Sequence, residues 1–105
     1  MINLAKLELM KKTAFLVNTS RGPVINEADL ARALKREMIA GAGLDVFEKE
    51  PLPRTSPLVR MKNVVLLPHV GSASVETRSQ MGLVAAESLM AVLNGREPDR
   101  KFVVN

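Results

Sequence analysis

Three short, nearly uninterrupted apolar runs constrain this chain most: Ala14–Val17, Gly41–Val46 and Asn63–Leu67, each too short for a typical helix. A strand with one wet face alternates polar and apolar residues. Continuous runs of this length instead suit strands covered on both faces, as in a parallel sheet. Between the first two runs the period changes. Asn26 followed by Asp29 has the spacing of a capping-box variant, and Leu30, Leu34 and Met38 mark one face of a helix running to about Glu37. Arg32, Lys35 and Arg36 sit toward its C-terminal end, where the helix dipole favours cations. Between the second and third runs, Glu48–Ser56 carries Pro51 and Pro53 and reads as a loop. Strand, helix, strand, irregular connection, strand is an α/β order, and right-handed crossovers leave few topologies for it.

The flanks extend this pattern. Met1–Lys12 places Ile2, Leu4, Leu7, Leu9 and Met10 at amphipathic helical spacing, with no capping oxygen available from Met1 or Ile2. A long helix begins near Ser72 or Ser74, either of which could cap it, and runs through Met81, Val84, Ala85, Leu89 and Val92 to Asn94. Gly95 closes it. Its second half is apolar around most of its circumference and calls for cover on more than one side. The tail is polar from Arg96 and then apolar at Phe102, Val103 and Val104, so it is expected to dock. The whole resembles half of a doubly wound sheet.

Composition removes several classes of function. With 105 residues there is room for one small domain, and 47% hydrophobic with 25% charged residues is ordinary for a globular chain. Phe15, Phe47 and Phe102 are the only aromatic residues, so the core is aliphatic and no stacking platform for single-stranded nucleic acid exists. No cysteine and a single histidine exclude disulfides, a thiol nucleophile and a multi-histidine metal site. The net charge of +4 raises nucleic acid as a partner, but no run exceeds two adjacent cations, which reads as a solvated surface. No stretch approaches the roughly 18 apolar residues of a membrane span. A cytoplasmic protein with neither nucleic-acid nor membrane partner is the expectation.

Polar residues gather where the apolar runs end. The segments Leu16–Pro23 (LVNTSRGP), Gly41–Pro51 (GAGLDVFEKEP), Asn63–Ser72 (NVVLLPHVGS) and Leu9–Lys11 resemble, in content, order and spacing, the C-terminal part of the NAD-binding domain of D-isomer-specific 2-hydroxyacid dehydrogenases. The resemblance covers essentially the whole chain and is closest in wording to glyoxylate/hydroxypyruvate reductases. It implies a partial Rossmann-like parallel sheet of about three strands with flanking helices and a long C-terminal helix. It also implies an oxidoreductase in which NAD or NADP exchanges hydride with carbon 2 of a small 2-oxo or 2-hydroxy acid. The family's catalytic Arg, Glu and His fall on Arg21, Glu50 and His69. Its cofactor-binding positions fall on Asn18, Thr19, Arg21, Asp45, His69 and Gly71, with no metal, and the full-length parent is expected to be a homodimer.

Each of these residues also has a physical case. Arg21, Glu50 and His69 lie just past strand C-termini, where open α/β sheets collect ligands. The guanidinium of Arg21 is a permanently charged fork that matches a carboxylate, although an exposed arginine is commonly only an ion-pair partner. Hydride addition to a carbonyl creates an alkoxide, and imidazole is the side chain best placed to supply the proton near neutrality. A neighbouring carboxylate would stabilise its charged form. Glu50 and Glu48 both compete for that place, and Glu50 is preferred on the family's spacing from Asp45. Asp45 matches the position that binds the nicotinamide carboxamide, and serves equally well as a loop-capping aspartate. Asn18 and Thr19 would present backbone groups to the ring, and Gly71 would permit close approach. Gly41 and Gly43 lack the third glycine and the helix start of a phosphate-binding loop, so they are expected to serve packing within the sheet.

Neither the G-x-G-x-x-G loop nor the ribose-reading acid of this family occurs in the chain, and the choice between NAD and NADP lies with them. The expectation is therefore a C-terminal fragment of such a dehydrogenase, inactive in isolation. Residues 1–105 would be a partial NAD(P)-binding domain, with 72–105 a helix and tail crossing back to a missing substrate domain. The other reading is a non-catalytic dinucleotide-sensing or protein-interaction module derived from the same fold.

Overall fold

The computed structural model describes residues 1–103. Strands β1 (Phe15–Asn18), β2 (Gly41–Leu44) and β3 (Val64–Leu66) form a parallel sheet in the order β1-β2-β3. The chain also forms helices α1 (Leu4–Leu7), α2 (Glu27–Lys35) and α3 (Val75–Leu93), and single 3-10 turns at Gly22–Val24, Pro57–Arg60 and Arg100–Phe102. The chain divides into two compact units, Met1–Gly71 and Ser72–Asn105. Among the described residues no helix is long and apolar enough to cross a membrane.

In the first unit the core lies on one face of the sheet. Leu30, Ala33 and Leu34 of α2 meet Leu7, Ile39, Ala42, Leu44 and Leu58, all buried, while Leu16, Val64 and Leu66 pack against them. The other face corrects the expectation of strands covered on both sides. Phe15 and Val17 are 72% and 69% exposed, and Val65 and Leu67 are exposed as well. An apolar run records that a residue tolerates burial; it does not supply the covering layer. Gly41 is required where it stands, since a Cβ there would lie 2.6 Å from the carbonyl oxygen of Asn63. Gly43 would meet only Val17, at an ordinary 3.8 Å, so tight packing within the sheet explains Gly41 and not Gly43.

The N-terminal helix is one turn, not the span Met1–Lys12. Ile2 is held in a parallel bridge to Ile25, its N–H donating to Val24 and its carbonyl accepting from Asn26. That pairing keeps the chain extended up to Asn3, whose side chain caps α1 by accepting the Lys6 N–H. The cap thus comes from a residue deeper than Met1 or Ile2. It also takes over half of the expected capping box. Asn26 accepts the Asp29 N–H as predicted, but the Asp29 carboxylate accepts from Leu4 N–H and joins α2 to α1. The helix α2 stops at Lys35, two residues short of Glu37, which turns left-handed with φ of 52°.

In the second unit Ser74, rather than Ser72, caps α3 by accepting the Thr77 N–H. Gly95 ends the helix at φ of 67°, where glycine carries no Cβ penalty. None of the α3 residues is buried, and Met81, Leu83, Leu89, Met90, Val92 and Leu93 are exposed. Phe102 of the tail shares a groove with Met81, Val84 and Ala85 of α3. Of the predicted apolar tail, Val104 lies outside the described residues.

Candidate active site

All three strands deliver polar residues to the same end of the sheet, because parallel strands share one C-terminal edge. At the end of β1 the buried Asn18 folds the loop that follows it. Its Oδ1 accepts from the backbone N–H and the hydroxyl of Ser20, each at 3.1 Å, and its Nδ2 donates to the Arg21 carbonyl at 2.9 Å. This is an Asx-type turn, and it fixes the backbone at Arg21. Thr19 and Arg21 are exposed on that loop, and one guanidinium N–H of Arg21 donates to the carbonyl of Ser20 at 2.7 Å. The next residue, Gly22, is buried. A Cβ on it would stand 1.9 Å from the carbonyl carbon and oxygen of Phe47, so the loops after β1 and β2 touch backbone to backbone there.

The loop after β2 carries the competing glutamates, and the structure separates them. Glu48 exchanges hydrogen bonds with Glu27 at the start of α2, each backbone N–H donating to the other's carboxylate. Glu50 turns the opposite way. Its Oε1 accepts the Phe47 N–H at 3.1 Å, and its Oε2 lies 2.7 Å from Nδ1 of His69. His69 follows Pro68 after β3 and holds a left-handed φ of 57°, rare for a residue with a Cβ, though histidine is enriched there. Both partners are partly open to solvent, with side chains 46% and 38% exposed.

Asp45, directly after β2, is buried. Its oxygens accept the N–H groups of Val70 and Gly71, both at 2.7 Å, and its own N–H donates to the carbonyl of Asn18. A Cβ on Gly71 would lie 3.0 Å from the Asp45 carboxylate, so glycine leaves room for that contact. The seven expected site residues, with Glu50 bonded to His69, therefore share one edge. Asn18, Asp45 and Gly71 form its frame; Arg21 and His69 present exposed side chains; Thr19 is exposed without a side-chain partner among the described residues.

The electrostatics follow from these contacts. The hydrogen bond from His69 holds the Glu50 carboxyl below its usual value of 4.5, the Phe47 N–H lowers it further, and the charges of His69 and Arg21 add to both. Loss of hydration opposes them and loses. An ionised Glu50 accepts the Nδ1 proton, which leaves Nε2 of His69 as the ring nitrogen with no protein partner among the described residues. Beside the pair runs a cleft of about 450 Å³ whose walls include Phe47, Leu52, Leu66, Leu67 and Pro68. Two features of this edge escape a reading of the sequence. Gly22 is signalled only by its place in a Gly-Pro turn, and nothing signals that the Phe47 N–H anchors Glu50.

Residues 1–71 match the family profile of the D-isomer specific 2-hydroxyacid dehydrogenase, NAD binding domain. The chain belongs to this family. It is 54% identical over 98 residues to a glyoxylate reductase of Thermofilum pendens, covering 93% of this chain and 29% of that protein. It is 53% identical over 95 residues to a glyoxylate/hydroxypyruvate reductase B of an Enterobacter species, covering 90% and 29%. Among solved structures it superposes on the NADPH-dependent glyoxylate/hydroxypyruvate reductase of Sinorhizobium meliloti in complex with NADP and malonate. That match has a TM-score of 0.79 at 45% identity and covers 86% of this chain and 28% of that one. The chain thus spans about 30% of the length of the relatives it matches. As in other members of this dehydrogenase family, the sheet is Rossmann-like and the domain is of the NAD-binding kind. The donor set fits the nicotinamide end of such a cofactor: an apolar cleft wall for a planar ring, with polar groups at its rim. No glycine-rich loop that could cradle the pyrophosphate occurs in the sequence.

Proposed function

We propose that this chain supplies the catalytic edge of an NAD(P)-dependent reductase for small 2-oxo acids of the glyoxylate and hydroxypyruvate kind. The observation that carries this reading is His69, tied through Nδ1 to Glu50 with Nε2 left open on the strand edge that Arg21 shares. When bound, the reduced nicotinamide supplies the hydride. The residues do the rest. Arg21 uses donors still free of Ser20 to clamp the substrate carboxylate in parallel and orient its carbonyl. His69 gives its Nε2 proton to the carbonyl oxygen as carbon 2 is reduced, so that no free alkoxide forms. Glu50 holds the ring by Nδ1 and stabilises the imidazolium before transfer. The backbone at Asn18, Thr19 and Gly71 and the carboxylate of Asp45 bound the nicotinamide side. Residues 72–105 serve as the passage to a substrate-closing domain, and the full enzyme is read as a cytoplasmic homodimer; both statements rest on the family resemblance.

The test is a graft. The 98 matching residues of the Thermofilum pendens glyoxylate reductase are replaced by this sequence, and glyoxylate reduction is followed with NADH and NADPH. The graft is expected to turn over, and His69→Ala within it to lose about 10²–10⁴-fold in kcat, the range for a general acid. A folded graft that binds cofactor yet reduces neither glyoxylate nor hydroxypyruvate sinks the reading, as does His69→Ala with undiminished turnover.

A further inference from the structure

Asp45 is 3% exposed, and each of its carboxylate oxygens accepts one backbone N–H, from the two residues that directly follow His69. His69 itself is the left-handed residue at that turn. We propose that Asp45 is a positioning residue for His69: its clamp on Val70 and Gly71 holds the left-handed turn that sets the imidazole against Glu50.

The physical argument has three steps. A residue with a Cβ leaves the left-handed region unless its surroundings fix it there. Successive N–H groups beside such a turn converge on a common point, and an anion at that point holds them. Asp45 is itself fixed, since it continues β2 and its N–H bonds to the end of β1. The clamp therefore refers the angle of His69 to the sheet. Glu50 is referred to the same frame through Phe47, two residues beyond Asp45. The two halves of the His69–Glu50 pair thus hang from one short stretch of chain. Glycine at 71 is part of the device, because any Cβ there would crowd the Asp45 oxygen. The proposal deepens the reading of His69 as proton donor and rests on it only in treating the ring's orientation as useful.

The experiment is nitrogen NMR of His69 in the 105-residue chain, at a pH where the imidazole is neutral and with no cofactor present, so that a contact to nicotinamide contributes nothing. The wild-type ring is expected to carry its proton chiefly on Nδ1, donated to Glu50. Asp45→Asn keeps the volume but can serve only one of the two N–H groups. Gly71→Ala keeps the charge and crowds it. Both variants should shift the Nδ1–H to Nε2–H ratio toward Nε2–H by about tenfold, the scale of losing a hydrogen bond to a charged acceptor, and should move the Val70 and Gly71 amide signals. If those amides move while the ratio holds, Asp45 ties the loop without orienting His69 and the proposal is overturned. Should Asp45→Asn not fold, Gly71→Ala carries the same comparison alone. The graft experiment keeps the two readings apart: His69→Ala with full turnover sinks the reductase, whereas an unmoved tautomer ratio beside a lost rate sinks only the role of Asp45.

Discussion

Oε2 of Glu50 lies 2.7 Å from Nδ1 of His69, while Oε1 of the same carboxylate accepts the Phe47 N–H. Both oxygens are engaged, so protonating Glu50 must weaken one bond or the other. Because its folded value lies below 4.5, Glu50 contributes stability that is fully present above the ordinary carboxylate range and is lost as pH falls through the lowered value. Carboxyl-carbon NMR should give a Glu50 midpoint under 4.5, and His69→Ala should raise it toward 4.5. An identical midpoint in both proteins would show that the pair does not persist in solution.

Arg21 is the residue for which charge and shape can be separated. Arg21→Lys in the graft keeps the charge and removes the two parallel donors. A loss of tenfold or more in kcat/KM for the 2-oxo acid is expected, equivalent to at least about 1.4 kcal/mol of transition-state stabilisation. Cofactor affinity, followed by fluorescence, should change little. The reverse pattern would assign Arg21 to the cofactor.

Gly22→Ala tests the contact between the loops after β1 and β2. The added methyl would overlap the Phe47 backbone, which cannot swing aside as a side chain can. We expect a destabilisation of about 3 kcal/mol in urea, at the upper end for overpacking. The Glu50–His69 pair should be disturbed with it, since Phe47 anchors Glu50. A urea transition indistinguishable from wild type would show that the loops do not meet this closely.

The 105-residue chain by itself is expected to show no reductase turnover with either cofactor. Its sequence has no loop for the pyrophosphate, and a ring without that anchor does not dwell in reactive geometry. Saturable, protein-dependent oxidation of NADH or NADPH by glyoxylate would overturn this.

The sheet was legible because its signal is local: β-rich apolar runs bounded by polar turns announce strands whatever surrounds them. One-sided exposure of Phe15 and Val17 was not, since it depends on what else is present to cover them. The shortening of α1 came from a pairing across 23 residues, Ile2 with Ile25, that no helical period encodes. At the site, residue type and position led to Arg21, Glu50 and His69, with Glu50 chosen on family spacing. The physical cause that parts it from Glu48 is the exchange with Glu27 in α2, which is tertiary and invisible in the loop's own residues. Asp45 shows the converse. Its loop-tying role is a generic property of aspartate beside a turn, and only the fold reveals that the turn tied is the one bearing His69.

The exposed Phe15, Val17, Val65 and Leu67, with Gly43 standing between Val17 and Val65 in the register, also bear on how this chain behaves in a tube. Its colloidal state is a contest between that greasy surface and the mutual repulsion of molecules each carrying a net +4. At modest concentration salt acts chiefly on the second. At about 0.1 M the screening length is already near 10 Å, so the repulsion fades while the attraction does not. Such a chain is expected to stay dispersed in dilute buffer and to adhere to apolar surfaces in saline.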